Sequence, residues 1–268
     1  MISIIIPTLN EEKLLPRLLA DIKKQTFTDY EVIVADAHSS DRTREIASDH
    51  GCRIVDGGMP GYARNKAAEH AKGEYLVFFD SDVSIKPNFL RKAFGEFEER
   101  YLDAAAADVI PDNVEENKYK VIFDLYNAYI RYAQFVNPGA LGSFIMMTRR
   151  LFDRLGGFNE EIKLGEDFDL VKRAAKLSKF RILESVSITV SVRRIEKEGI
   201  FKYVTRNIRS ELYRLFVGEI TDDRFEYEFG NYDARKEKKQ FKRFLKNLKE
   251  KLKNAKLRDL FEFERRNR

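Results

Sequence analysis

Two carboxylates one residue apart, in Asp80-Ser81-Asp82, follow directly on the apolar run Tyr75-Leu76-Val77-Phe78-Phe79. Leaving two anions at the mouth of a buried strand costs free energy unless a cation neutralises them. Their hard oxygens suit Mg²⁺ or Mn²⁺, bridged to the phosphate oxygens of a substrate. The triplet alone also occurs in ordinary turns, and its weight comes from its place after that strand. Polar residues stand at the same kind of point elsewhere: Pro7, Thr8, Asn10 and Glu11 after the first apolar run, Asp36 after the second. An ionised Asp only accepts hydrogen bonds, so Asp36 suits a ribose hydroxyl or a base imide. Taken singly, each of these residues is more commonly a helix cap or a turn residue.

For these groups to meet, the strands before them must lie side by side. Ile2 to Ile6 reads as a strand buried on both faces, and Asn10 as the N-cap of a helix that buries Leu14, Leu15, Leu18, Leu19 and Ile22. Tyr30 to Ala35, Arg53 to Val55 and Glu74 to Phe79 read as strands, with helices from Ser40 to His50 and from Gly61 to Lys72 between them. That alternation predicts βαβ units and an open parallel sheet, with a ligand crevice at the carboxyl ends of the strands. Beyond it the spacing predicts a helix over 88–101, a strand over 104–110, an aromatic-rich helix over 116–136, a strand over 143–148, a helix over 166–177 and two short strands within 180–192. Helical spacing returns over 197–217.

Composition bounds the rest. A chain of 268 residues, 43% hydrophobic and 35% charged, can bury a large α/β core. Abundant Lys and Glu with no Trp is a balance also met in heat-adapted proteins. The single cysteine, Cys52, cannot form an internal disulfide and reads as a core residue. His38, His50 and His70 lack metal-ligand spacing, although His38 falls close to Asp36. No apolar run is long enough for a membrane helix and no leader precedes the first strand, so a cytoplasmic protein is expected. Net charge is +5, but residues 235–258 carry twelve Lys or Arg and two Glu. Phe241, Leu245, Leu248, Leu252 and Ala255 recur there at helical spacing, which suits peripheral contact with an anionic membrane and equally a helix docked on the body. No nucleic-acid-binding motif accompanies the charge, so no nucleic acid is expected.

In their order along the chain, several stretches resemble the family 2 glycosyltransferases: Ser3-Ile4-Ile5-Ile6-Pro7-Thr8-Leu9-Asn10-Glu11-Glu12, the Asp36 region with Ser39-Ser40-Asp41-Arg42-Thr43, Gly61-Tyr62-Ala63-Arg64-Asn65, Asp80-Ser81-Asp82, and Gly156-Gly157-Phe158-Asn159-Glu160 followed by Gly165-Glu166-Asp167. The resemblance covers about residues 2 to 195. It implies a GT-A type α/β fold, a Rossmann-like and mostly parallel open sheet with flanking helices, forming a catalytic domain over 1–195. Residues 196–268 would be a C-terminal helical extension that carries the basic tail.

The resemblance also implies roles. Pro7, Thr8, Asn10, Glu11 and Asp36 would hold the nucleoside, Arg64 and Asn65 would support the nucleotide and its diphosphate, Asp80 and Asp82 would bind Mg²⁺ or Mn²⁺, and Ser81 would face the donor beside them. Asp167 would be the general base of an inverting transfer from a UDP-sugar or GDP-mannose to an acceptor hydroxyl or lipid phosphate, with Glu166 beside it raising one pKa of the pair. Two stretches depart from the family pattern. Ala35-Asp36-Ala37-His38 keeps one acidic residue where two and a glycine are usual, and Ser191-Val192-Arg193-Arg194-Ile195 stands where processive members carry Gln-x-x-Arg-Trp. Single-sugar transfer is therefore expected, with Arg193 or Arg194 available to a diphosphate or equally solvated on an edge strand. A nucleotidyltransferase and a non-catalytic nucleotide-sugar-binding module are the alternatives. The first usually needs a glycine-rich basic loop after the first strand, which residues 7–13 lack.

Overall fold

The first apolar run becomes β1 (Ile2–Thr8), which pairs in parallel with β2 (Tyr30–Asp36) on one side and β4 (Tyr75–Phe79) on the other. β3 (Arg53–Asp56) adds to β2, also in parallel. This computed structural model describes residues 1–112 and 117–222. Ile4, Ile5 and Ile6 are completely buried, as a strand covered on both faces requires. The helices between these strands are α1 (Leu15–Lys23), α2 (Thr43–Asp49) and α3 (Pro60–His70). Four further strands complete one eight-stranded sheet: β5 (Val83–Ser84), β6 (Ala104–Pro111), β7 (Phe144–Thr148) and β8 (Phe180–Val190), in the order β3-β2-β1-β4-β7-β6-β8-β5. Its remaining helices are α4 (Phe89–Glu99), α5 (Asn117–Ala133), α6 (Arg149–Leu155) and α7 (Glu166–Leu177).

The expected alternation holds, with three local corrections. α1 begins at Leu15, with Pro16 in its first turn, and Asn10 is not its cap. Asn10 instead takes a left-handed conformation, φ 55°, and its side chain accepts the Ser40 N–H at 2.9 Å. Asparagine tolerates that conformation because its short amide bonds locally. The two strands expected within 180–192 are one long strand, whose register with β6 shifts between Ala107 and Asp108. The sheet is mixed, since β7 runs antiparallel to both β4 and β6 and β5 antiparallel to β8. The other four pairings are parallel.

Consecutive phenylalanines on β4 show how the core divides, because successive side chains of a strand point to opposite faces. Phe78 packs with Phe152 and Phe158, and Phe79 with Phe89 and Phe144. The first cluster continues into Ala63 and Ala67 of α3 and Leu170 and Ala174 of α7. It therefore anchors α3 and α7 to the sheet.

Met1–Val192 forms one packed unit, to which the chain returns from Tyr213. Arg193–Leu212 belongs to a second, containing α8 (Arg193–Glu198) and most of α9 (Ile200–Phe216). Within it Arg206 pairs with Glu198. The basic tail, 235–258, lies outside the described residues. No helix among the described residues is long and apolar enough to cross a membrane.

Candidate active site

Between β1 and β4 the strand order reverses: β2 and β3 lie to one side of β1, and β4 to the other. In open α/β sheets, the carboxyl ends of strands at such a switch point form the ligand crevice. Thr8, Asp36 and Asp80 all stand there, at or just past the ends of β1, β2 and β4.

Asp36 is fully buried, which is tolerable because its oxygens are occupied. Oδ2 accepts the Thr8 hydroxyl at 3.0 Å and the Ser39 hydroxyl at 2.6 Å, while Oδ1 accepts the Ser39 N–H at 3.0 Å. Arg44 approaches Oδ1 at 3.4 Å and reaches on to Asp56. The loop after β1 is tied to the loop after β2 by further bonds: Asn10 N–H donates to the Ser39 hydroxyl and Glu11 N–H to the Thr43 hydroxyl, each at 2.8 Å. Asp36 thus organises the wall of the crevice. His38, exposed and left-handed at φ 59°, lies on the rim of that wall.

The second wall is built around Arg64. Its guanidinium is buried and joins two acids from distant parts of the chain, Asp80 Oδ1 at 2.7 Å and Glu166 Oε1 at 2.7 Å. Its face also rests on the Phe158 ring, 5.3 Å from the centroid. Burial opposes the guanidinium charge, but Asp80, Glu166 and Asp167 together outweigh it and raise the pKa. Glu166 opens α7, and its side chain is engaged by Arg64. Asn65, one residue on, is spent on the loop before α7. Its amide donates to Phe158 O at 2.9 Å and Glu160 at 2.8 Å, and its oxygen accepts Phe158 N–H at 2.8 Å.

Asp167 occupies the first turn of α7, with its charge near the helix N-terminus. Oδ2 accepts the Gly142 N–H at 2.5 Å and Oδ1 accepts the Phe168 N–H at 2.8 Å. Its pKa is pushed up to about 7, by burial first and then by the Glu166 charge, against the pull of Arg64 and Arg214. A carboxyl poised near neutrality can take a proton from a hydroxyl at working pH. Gly142 is required at its place: a Cβ there would stand 2.7 Å from Arg64 Nη2 and 3.3 Å from Asp167 Oδ2.

Asp80 is partly exposed and meets Arg64 through Oδ1, and Asp82 follows two residues later, also partly exposed. No group of three or more acidic, histidine or cysteine ligands occurs among the described residues. Two carboxylates at an open strand end fit Mg²⁺ or Mn²⁺, which keep water or substrate phosphates for their remaining positions. Ser81 between them is buried, and Pro7 lies within β1, opposite Ala35 of β2. Arg193 and Arg194 open α8 in the second unit, so they stand on a helix where a strand position was expected. The first unit therefore gathers Thr8, Asn10, Glu11, Asp36, Arg64, Asp80 and Asp167. Two contributors escaped the sequence reading, the Gly142 amide and Arg214.

Residues 3–156 match the family model described as Glycosyl transferase family 2. Poly(ribitol-phosphate) beta-N-acetylglucosaminyltransferase TarS of Staphylococcus aureus is 28% identical over 235 residues, which cover 81% of this chain and 40% of TarS. Chondroitin synthase of Escherichia coli is 26% identical over 226 residues, covering 78% of this chain and 32% of that enzyme. The chain thus spans two fifths or less of the length of these relatives. Among solved structures, S. aureus TarS 1–349 in complex with UDP-GlcNAc superposes with a TM-score of 0.61 at 23% identity, over 79% of this chain and 66% of that one. The mannosyltransferase PcManGT from Pyrobaculum calidifontis, in complex with GDP-Man and Mn²⁺, also scores 0.61, at 21% identity over 78% of this chain and 64% of that one. Those likenesses carry the GT-A fold, and with more than half of its length matched by the family model, the chain belongs to glycosyl transferase family 2.

Proposed function

We propose that the chain transfers a single sugar from a nucleotide-sugar donor to an acceptor hydroxyl or lipid phosphate, with inversion at the anomeric carbon. The observation that carries this reading is the buried Arg64, which joins the Asp80 carboxylate to Glu166 and so links a site for a leaving diphosphate to one for an acceptor base. The Thr8–Asp36–Ser39 wall would receive the nucleoside, and Asp80 with Asp82 would hold Mg²⁺ or Mn²⁺ against the diphosphate. The bound cation would supply charge stabilisation to the leaving group. Asp167 would accept the acceptor's hydroxyl proton as its oxygen forms the new bond to the anomeric carbon. The bond from that carbon to the diphosphate breaks, and its electron pair leaves on the phosphate oxygen. Gly142 N–H would orient the receiving carboxylate.

TarS with UDP-GlcNAc and PcManGT with GDP-Man and Mn²⁺ support a nucleotide-sugar donor and a divalent cation, with UDP-sugars and GDP-mannose as the first candidates. Asp167→Asn tests the central assignment. General-base catalysis contributes roughly 10²- to 10⁴-fold, so transfer or donor hydrolysis should fall by at least about 100-fold while nucleotide binding persists. Turnover equal to that of the unaltered chain would remove Asp167 from the mechanism.

A lipid-linked acceptor has one specific observation in its favour. Val121, Leu125, Tyr129, Tyr132 and Phe135 of the α5 region recur at helical spacing and are 43–69% exposed. Such an apolar and aromatic stripe suits the interface of a bilayer, and the +10 charge of residues 235–258 suits an anionic one.

A further inference from the structure

Phe168 follows Asp167 directly and Gly165 precedes it by two residues, and one side chain from a distant part of the sequence covers both. The Arg214 guanidinium lies over the Phe168 ring, 4.3 Å from its centroid. It also fills the space that a Cβ on Gly165 would need. Gly165 combines that close approach with a left-handed backbone, φ 90°, at the N-cap of α7. The chain beyond Arg214 reinforces the contact, because Lys163 N–H donates to Ile220 O at 2.8 Å and Leu164 bridges to Ile220 in antiparallel sense. Arg214 and these partners belong to the same packed unit.

We propose that Arg214 is a positioning residue of the site, holding the Gly165–Phe168 turn and presenting to Asp167 a second cation beside Arg64. This rests on the reading of Asp167 as the base, and deepens it. Phe168 is confined from another side by the backbone of Gly139, so the ring under the guanidinium has little freedom. A fixed ring fixes the cation, since stacking over an aromatic face and planar delocalised charge are properties of Arg that Lys lacks.

The charged groups acting on Asp167 are Glu166 on its own helix, Arg64 from α3 and Arg214 from the end of α9. Asp80 meets Arg64, Asp169 is paired with Arg173 on α7, and Asp108 of β6 with Arg131 on α5. Burial and Glu166 push the Asp167 carboxyl up, and the two arginines pull it down. Without Arg214 the carboxyl should hold its proton to higher pH and act as a base over a narrower range.

The test is a carbon-13 titration of the Asp167 carboxyl in the full chain, with its signal assigned by loss in Asp167→Asn. Arg214→Gln should raise the apparent pKa, and Arg214→Lys should restore most of the difference while leaving the Phe168 contact weaker. If Arg214→Gln does not fold, Arg214→Met, whose unbranched stem also covers the ring, is titrated in its place. An unshifted carboxyl in the folded neutral variant overturns the proposal. The titration needs no acceptor or donor. Undiminished transfer by Asp167→Asn therefore counts against the base, and an unshifted carboxyl in the Arg214 variant counts against Arg214.

Discussion

At the scale of single residues, the proposed chemistry turns on two neighbouring acids with different partners. Glu166 is neutralised by Arg64 at 2.7 Å, whereas the hydrogen bonds that Asp167 accepts among the described residues come from the backbone N–H groups of Gly142 and Phe168. Pairs whose surroundings separate their proton affinities are the usual basis for assigning one as the acid or base of a site. The raised pKa has a consequence for stability as well as for catalysis. A carboxyl whose folded value exceeds its unfolded one favours the fold when protonated. That contribution is fully present below roughly pH 4, the unfolded value, and is lost as pH rises through about 7. The melting temperature should accordingly fall between pH 5 and 8, and fall less steeply in Asp167→Asn. Equal slopes in the two proteins would contradict the raised value. The same carboxyl must be ionised to act as a base, so activity should rise with pH across the interval in which stability falls.

At the scale of elements, the site is held by turns that leave no spare volume. The 138–142 loop brings its backbone against the first turn of α7, and Gly142 is the point of closest approach to Arg64 and Asp167. Gly142→Ala would drive a methyl group against a guanidinium already committed to two carboxylates. Overpacking of this kind costs about 1–3 kcal/mol. Chemical denaturation should register a loss of that size, together with lower activity, and an unchanged midpoint would show that the loop yields freely. Asn65 works at the same scale, since it satisfies the backbone of Phe158 and so fixes the ring on which Arg64 rests. The family-like Gly-Tyr-Ala-Arg-Asn stretch thus carries one residue that meets the acids and one that holds the loop.

At the scale of the whole molecule, the donor and the acceptor surface can be tested separately. A ligand that binds only the folded state stabilises it by about 2.7 kcal/mol at a hundred times its Kd. UDP-glucose, UDP-N-acetylglucosamine, UDP-galactose and GDP-mannose should therefore divide into stabilising and silent compounds in a thermal-shift screen, with the stabilising ones strengthened by Mn²⁺. Silence from all four, with and without Mn²⁺, would oppose a nucleotide-sugar site. For the membrane, Leu125→Asp with Tyr132→Asp should reduce co-sedimentation of the full chain with vesicles containing phosphatidylserine by several-fold, and high salt should reduce it further. Unaltered co-sedimentation would place the contact elsewhere.

The sequence by itself determined the parallel half of the sheet. Short apolar runs alternating with amphipathic helices leave few topologies, and polar residues at the strand ends then fall into one crevice. Thr8, Asp36 and Asp80 were legible for that reason, and the order of motifs pointed to Asp167. Only the tertiary structure decided what each acid meets. That Asp36 accepts the Thr8 hydroxyl, that Asn65 serves a loop, that Gly142 donates to Asp167 and that Arg214 lies on Phe168 all depend on contacts between residues 25 to 93 positions apart in the chain or on the return of α9. Periodicity reports which face of an element is buried, but not which partner buries it. The same limit explains the antiparallel β7, whose apolar run reads alike in either direction.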